Sequence, residues 1–445
     1  METAADWRND RIERARLTAI FGIGYQALYA LLQLACLAVL ARHTSRDLFG
    51  LWLTALALAT WLPMVNMGQP AALLTKLGSV ALTDRPLAQR LFSASTAIVL
   101  GALVLIAFAF LAATPLISWA TLLNATTRET INASTSMAML ALGLTALATP
   151  ATLAGFAIQA HQRGDIVHLT MTAGSLIGFL VFVLAISWSL PIQIACAAMI
   201  AGPVLGGLAL WLMSACGHFV SLPRWSETDA VGVRSMLRTG VYFMAIDTAS
   251  LALIRTPDLI VAHLYGSVAV GLFSSIGRLP LLMLAMFQAL LLPYWPALGA
   301  AAHRGDHACV RQVIARSLRN LLAMCLIGIP IMAWLGSPFV RLWLGTDDAA
   351  IRPLIAAACV QSLGMAMLAW LSVMFGALSM FRQQVILLAL AATLYFPTAI
   401  ALAHHLGPIG VSLGQAGILL LFVTPIGCLI LYRRLNGTLA HSAAH

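Results

Sequence analysis

Val39-Leu40-Ala41-Arg42 … Phe49-Gly50-Leu51-Trp52 returns 221 residues later as Ile260-Val261-Ala262-His263 … Val270-Gly271-Leu272-Phe273, an offset of half the 445-residue chain. In each copy one apolar run ends at a basic residue and a second begins. A run of about 20 mostly apolar residues can cross the ~30 Å hydrocarbon core of a bilayer. Outward from the two copies, such runs fall at 17–41, 49–73, 91–113, 136–159, 166–188, 192–216, 237–262, 268–293, 316–340, 350–377, 383–405 and 410–432. Six runs lie in each half, so the shared offset implies the same topology twice. Parallel repeats of this kind are related by an axis along the membrane normal. The expectation is an all-α integral membrane protein of about twelve transmembrane helices in two six-helix lobes. Residues 1–16 form a cytoplasmic N-terminal segment, 17–216 the first lobe, 217–236 a cytoplasmic linker, 237–432 the second lobe and 433–445 a cytoplasmic tail.

Composition agrees with a bilayer as solvent. The chain is 61% hydrophobic and only 9% charged, against roughly 25% charged in soluble proteins. The net charge of +10 does not point to nucleic acid, because the basic residues sit between apolar runs, where they set orientation. With the N-terminus in the cytoplasm, eighteen Lys and Arg fall inside and five fall outside: Arg42, Arg46, Arg128, Arg341 and Arg352. Arg255 and Arg278 lie within apolar runs. The seven cysteines show no C-x-x-C spacing and read as small buried hydrophobes. No cleavable signal peptide is expected, since the first apolar run is too long for one. In the linker, Ser226 is placed to cap a short helix with Glu227 and Asp229 in its first turn.

An ionisable group inside the bilayer costs at least ~2.5 kcal/mol on insertion scales, so each is a functional candidate. The seventh run carries Asp247, Arg255 and Asp258. At about 100° per residue they fit one wedge of a helix, and Arg255 and Asp258 are close enough to pair. They form either a structural ion pair or a coupling site for a proton or sodium ion. At the repeat offset Asp247 matches Gln26, another polar residue. Arg278 lies about ten residues into the eighth run with no acid on that run to neutralise it. A guanidinium in a cavity suits a phosphate or diphosphate, because its planar fork donates two parallel hydrogen bonds. A structural pair with Asp247 or Asp258 is the other reading. Gln26, Gln33, Gln159, Gln288, Gln361 and Gln415 can bind sugar hydroxyls or join helices. Of these Gln26 and Gln288, with Arg278 and Asp247, are taken as cavity-facing. Pro150, Pro191, Pro257, Pro280, Pro293 and Pro330 can kink helices.

Several chemistries have no signal here. No Walker A loop, H-E-x-x-H metal motif or G-x-S-x-G nucleophile turn occurs in the sequence. No catalytic residue, metal or cofactor is expected.

The stretch Leu40-Ala41-Arg42 … Asp47-Leu48-Phe49-Gly50-Leu51-Trp52 resembles the polysaccharide transporter, or O-antigen (lipid-linked oligosaccharide) flippase, family. Similarity continues at Met67-Gly68, Gln159–Gly164, Ala269–Arg278 and Leu292-Pro293. That family shares the multidrug/oligosaccharidyl-lipid/polysaccharide exporter superfamily with the multidrug and toxin extrusion (MATE) transporters and the lipid II flippase. Where the family commonly shows Asp-x-Gly-Leu, this chain has Asn66-Met67-Gly68-Gln69. The resemblance implies two lobes around a V-shaped central cavity. It implies flipping of a polyprenyl-diphosphate-linked oligosaccharide across a bacterial inner membrane for O-antigen, exopolysaccharide or capsule assembly. Only Arg278 matches a cavity arginine of such relatives by position. A monomer working beside the polysaccharide polymerisation machinery is expected. Two rivals stand beside this reading: an ion-coupled drug or metabolite antiporter of the MATE type, and a membrane enzyme of glycan assembly.

Overall fold

The computed structural model describes residues 4–80, 84–161, 163–216, 222–291, 306–378 and 380–442, with the single positions 294, 298 and 302. Leu292-Pro293, Arg304 and the first residues of the 217–236 linker lie outside the described residues. Among the described residues every regular element is helical, as the apolar runs predict. The bilayer core offers no water to a peptide group, so the backbone must satisfy its own hydrogen bonds. Among the described residues eleven helical stretches are long and apolar enough to cross a membrane. One of them, α9 (Ala230–Leu291), has 62 residues and would measure about 90 Å if straight, three times the hydrocarbon thickness. It breaks at Gly266, where φ 80° and ψ 179° are open essentially to glycine alone. The seventh and eighth predicted runs are the two arms on either side of that turn.

The chain forms two compact units, Met1–Asp247 and Thr248–His445. The first contains α1 (Ala4–His43), α2 (Arg46–Ala59), α3 (Gln69–Val80), α4 (Arg85–Ala113), the short α5 (Trp119–Leu122), α6 (Arg128–Ala160), α7 (Gly164–Ser187), α8 (Ile192–Ala215) and the start of α9. Lipid tails are as apolar as leucine, so close backbone packing and interhelical hydrogen bonds must hold such helices together. Glycines provide the first. A Cβ on Gly174 of α7 would lie 2.5 Å from the Gly202 carbonyl oxygen of α8, and one on Gly178 would lie 2.9 Å from that of Ala198. Hydrogen bonds provide the second. Trp211 donates its indole N–H to the Pro150 carbonyl at 3.1 Å, and Gln33 donates its amide to the Met199 carbonyl at 3.1 Å.

The structure corrects the second predicted run, 49–73. It is not one helix: α2 ends at Ala59, a 3-10 turn occupies Leu62–Asn66, and α3 begins at Gln69. Met67 and Gly68 stand between them at φ 48° and 65°, a conformation that closes a helix rather than extending it. The start of α9 fills this break. A Cβ on Gly68 would sit 2.2 Å from the Gly240 carbonyl oxygen. The Gln69 amide donates to the carbonyls of Met67 and Met236, both at 3.4 Å, and the Lys76 ammonium donates to the Ser235 carbonyl at 3.2 Å.

The linker is corrected as well. Ser226 opens no helix of its own and lies in a 3-10 turn, Trp225–Glu227. Asp229 caps α9 instead, its carboxylate accepting the Gly232 N–H at 2.8 Å. Helical structure also reaches past the predicted ends: α1 begins at Ala4 and α6 at Arg128.

The second unit holds the rest of α9, α10 (His307–Leu344), α11 (Ile351–Ala377), α12 (Phe381–Leu406), α13 (Pro408–Gly417) and α14 (Thr424–Ser442). A π-helical segment, Ile418–Val423, joins the last two, so the final predicted run, 410–432, contains a change of helix type. The Thr424 hydroxyl donates to the Leu419 carbonyl at 2.7 Å across that segment. The central helix is α11, with Trp370, Met374 and Phe375 fully enclosed. Its Trp370 donates to the Ser317 hydroxyl of α10 at 2.9 Å, and its Gln361 amide donates to the Gln415 side chain of α13. Two of the six predicted glutamines in this class thus join helices here, and Gln33 does so in the first unit. The Tyr265 hydroxyl donates to the Ala403 carbonyl of α12.

The close α7–α8 contact predicts an asymmetric response to bulk. Gly174→Leu should destabilise the protein by about 1–3 kcal/mol through overpacking. Gly101→Leu, where a Cβ meets nothing within 4 Å, should leave the thermal midpoint in detergent unchanged. Equal midpoints for the two variants would contradict the packing described here.

Candidate functional site

Asp258 is the centre of the polar cluster in the second unit. It sits eight residues before the Gly266 turn, and Ser274 sits eight residues after it, so the two arms of α9 bring them level. The Ser274 hydroxyl donates to the Asp258 carboxylate at 2.6 Å. Arg255 lies one turn from Asp258 on the first arm, and Arg278 one turn from Ser274 on the second. Both guanidinium groups lie within electrostatic reach of the Asp258 carboxylate, and that carboxylate in turn reaches the buried Tyr395 of α12.

Arg255, Asp258, Ser274 and Arg278 line one small cavity with Gln361 of α11 and Ser412 of α13. Its volume is about 30 Å³, enough for two or three waters, each of which needs about 10–15 Å³. It cannot admit a sugar or a diphosphate. The tyrosine hydroxyl of Tyr395, the hydroxyl of Thr256 and the amide nitrogen of Gln415 are buried in this unit without a hydrogen-bond partner. Buried polar atoms of that kind are normally satisfied by ordered water. Arg278 stands at the border of this enclosure: it is only partly buried, and a Cβ on the adjacent Gly277 would meet nothing within 4 Å. The cluster can therefore balance charge inside while leaving a guanidinium at its edge.

The structure thus brings together three of the predicted residues, Arg255, Asp258 and Arg278. The predicted wedge of Asp247, Arg255 and Asp258 does not act as one surface. Asp247 is exposed, closes the first unit, and is absent from the cavity lining. Gln26 on α1 and Gln288 near the end of α9 are exposed and also stand apart from that lining. Sequence reasoning missed Ser274, Ser412 and Tyr395. Ser274 had a usable signal, its symmetric spacing with Asp258 about Gly266. Ser412 and Tyr395 come from helices more than a hundred residues away, and nothing in their local sequence marks them. Among the described residues no cluster of His, Cys, Asp and Glu could hold a metal ion.

No family model matches the chain, and no curated protein sequence matches it. Solved structures do. An inward-facing multidrug resistance MATE family transporter of the MOP superfamily aligns with a TM-score of 0.71 at 15% identity, over 96% of this chain and 98% of that one. The lipid II flippase MurJ, in an inward closed conformation, aligns with a TM-score of 0.73 at 12% identity, over 93% of this chain and 87% of that one. A MOP superfamily transporter from Pyrococcus furiosus, described as having a binding pocket of reverse polarity, aligns with a TM-score of 0.66 at 15% identity over 96% of each chain. The chain therefore has the fold of the MOP superfamily transporters, as the resemblance of its sequence implies. At these identities the likeness speaks of fold alone and leaves the choice of substrate to the residues.

The charge cluster yields a double-mutant test. Asp258→Ala strands two guanidinium groups and should cost about 3 kcal/mol of stability. Adding Arg278→Ala should restore part of that loss, whereas strict additivity in thermal midpoints would show that the two residues do not interact.

Proposed function

We propose that this protein is a transporter that flips polyprenyl-diphosphate-linked oligosaccharide across a bacterial inner membrane, for assembly of a surface polysaccharide. It would be multi-pass, with both termini in the cytoplasm. The observation that carries the proposal is the charge balance around Asp258. Two arginines line the cavity against one aspartate, so the cluster keeps one positive charge within a membrane-spanning region. A site for cationic drugs needs the opposite sign. Arg278, at the edge of the enclosure, is the residue that would donate to a diphosphate oxygen. Asp258 holds it by charge, and Ser274 holds Asp258.

Two further features support a lipid-linked substrate. The superfamily fold is shared with the lipid II flippase. An apolar groove of about 740 Å³ runs along α9 and α10, lined by Met283, Met286, Met324, Ile327 and Phe339 among others, and a prenyl chain would fit such a surface. Transport would proceed by alternating access, as such repeats work. Coupling to a proton or sodium ion falls to Asp247 or to the Asp258 cluster. Oligosaccharide hydroxyls would meet exposed amides such as Gln26 and Gln288. A monomer beside the polymerisation machinery is the working assembly.

The second reading, a MATE-type antiporter, shares the fold and draws on Asp247, an exposed carboxylate within a predicted span. Deletion of the gene in its host separates the two. Under the first reading, lipid-linked oligosaccharide accumulates on the cytoplasmic leaflet and surface glycan is lost. A plasmid copy restores the glycan, and Arg278→Ala lowers that rescue at least ~10-fold, the loss of one strong charge-assisted contact. Normal surface glycan with raised sensitivity to cationic drugs would put the antiporter first. A folded, inserted Arg278→Ala protein with full rescue would remove the diphosphate role from this residue.

A further inference from the structure

The second unit has another charged cavity, whose lining shares no residue with the cavity at Asp258. It lies between the end of α10 and the start of α11 and has a volume of about 880 Å³. Arg341, Asp347 and Arg352 supply its charges, and Trp334, Leu342 and Ile355 part of its apolar wall. Both arginines belong to the five basic residues that the Lys/Arg asymmetry assigns to the outer side. A cation there runs against the orientation bias and calls for a local reason.

The charges do not cancel. Arg341 pairs with Asp347 at 3.0 Å through one terminal nitrogen. Its Nε is buried with no hydrogen-bond partner. Arg352 is exposed and makes no ion pair among the described residues. It also sits in the first turn of α11, which has no side-chain cap and no acidic residue. A helix N-terminus carries partial positive charge, so a cation there is unfavourable unless an anion joins it. The neighbouring Asp348 is not part of the cavity lining and accepts the Ala350 N–H at 2.8 Å. The cavity is left with two arginines against one carboxylate.

The wall beside and below the charges is apolar and open. Trp334 is 78% and Leu342 77% exposed, and side chains this apolar and this bare face hydrocarbon in a membrane-spanning helix. Trp334 precedes Arg341 by seven residues, about 10 Å along the helix axis. An indole at that depth below a guanidinium matches the boundary between acyl chains and headgroups. A cationic cavity therefore stands above a strip that faces lipid tails.

We propose that this cavity binds the phosphodiester headgroup of an anionic bilayer phospholipid in the leaflet beside the α10–α11 connection. Arg352 donates to the phosphate oxygens, the Arg341–Asp347 pair lies beside it, and the acyl chains lie along Trp334. The opening toward hydrocarbon selects a resident lipid over a soluble phosphate. The site is distinct from the Arg278 cluster, and its occupancy does not depend on what the protein transports.

The test uses the full-length protein in detergent. It is titrated with phosphatidylglycerol, phosphatidylcholine or inorganic phosphate, and read by thermal midpoint and by lipid retained in native mass spectrometry. Phosphatidylglycerol should raise the wild-type midpoint by about 3 °C and remain bound, while phosphatidylcholine should do neither. R352Q, which disturbs no ion pair, should keep the lipid-free midpoint and need about 10-fold more phosphatidylglycerol for the same shift. R90Q, at an exposed arginine of the first unit, should respond as wild type. An unaltered phosphatidylglycerol response in R352Q, or no response in wild type, overturns the proposal. An equal shift with inorganic phosphate makes this an anion site without lipid, and preferential retention of a polyprenyl diphosphate makes the carrier its occupant. Either result overturns the assignment to bilayer phospholipid.

Discussion

Inside a bilayer no water is available to a peptide group or a charge, and this structure follows from that shortage. Helices satisfy their own backbones, which is why the regular elements are helical throughout the described residues. With no hydrophobic force to press helices together, glycine contacts do the packing. Gly174 and Gly178 admit the backbone of α8 to within distances that any Cβ would obstruct. Where the helices depart from regularity, a partner is present. The break after α2 is closed by the start of α9, and the π segment by the Thr424 hydroxyl.

The same shortage governs the charges. Arg255 and Arg278 would each be costly alone in the span. Around Asp258 each finds a counter-charge, and Ser274 accompanies the carboxylate. The cavity that results holds water-sized occupants only. A cluster built this way can position a guanidinium at its rim, which is a different task from enclosing a substrate. A shared scaffold leaves substrate choice to the side chains placed on it.

The connection between α10 and α11 repeats the pattern at the edge of the membrane. Arg341 and Arg352 there exceed their carboxylate partner in the cavity lining, and the surplus is set above exposed Trp334. In both places an arginine is retained against the local cost of a cation, once within the span and once at its boundary.

Apolar runs, the 221-residue repeat and the boundary between the seventh and eighth runs were legible in the sequence, because run length is a local property. The importance of Arg255, Asp258 and Arg278 was legible too, since an intramembrane charge is conspicuous wherever the chain goes. Local composition could not show that 49–73 breaks, because Met67-Gly68 adopts its turn only with α9 packed against it. Nor could it separate Asp247 from Asp258 on one helical wedge, since the helix passes from one compact unit into the next between them. The sequence by itself determined that the regular structure is helical, where most of the apolar spans lie and which charges needed partners. Only the tertiary structure decided which partners they found, because Ser274, Gln361, Tyr395 and Ser412 reach Asp258 or its cavity through a turn and three other helices rather than through sequence proximity.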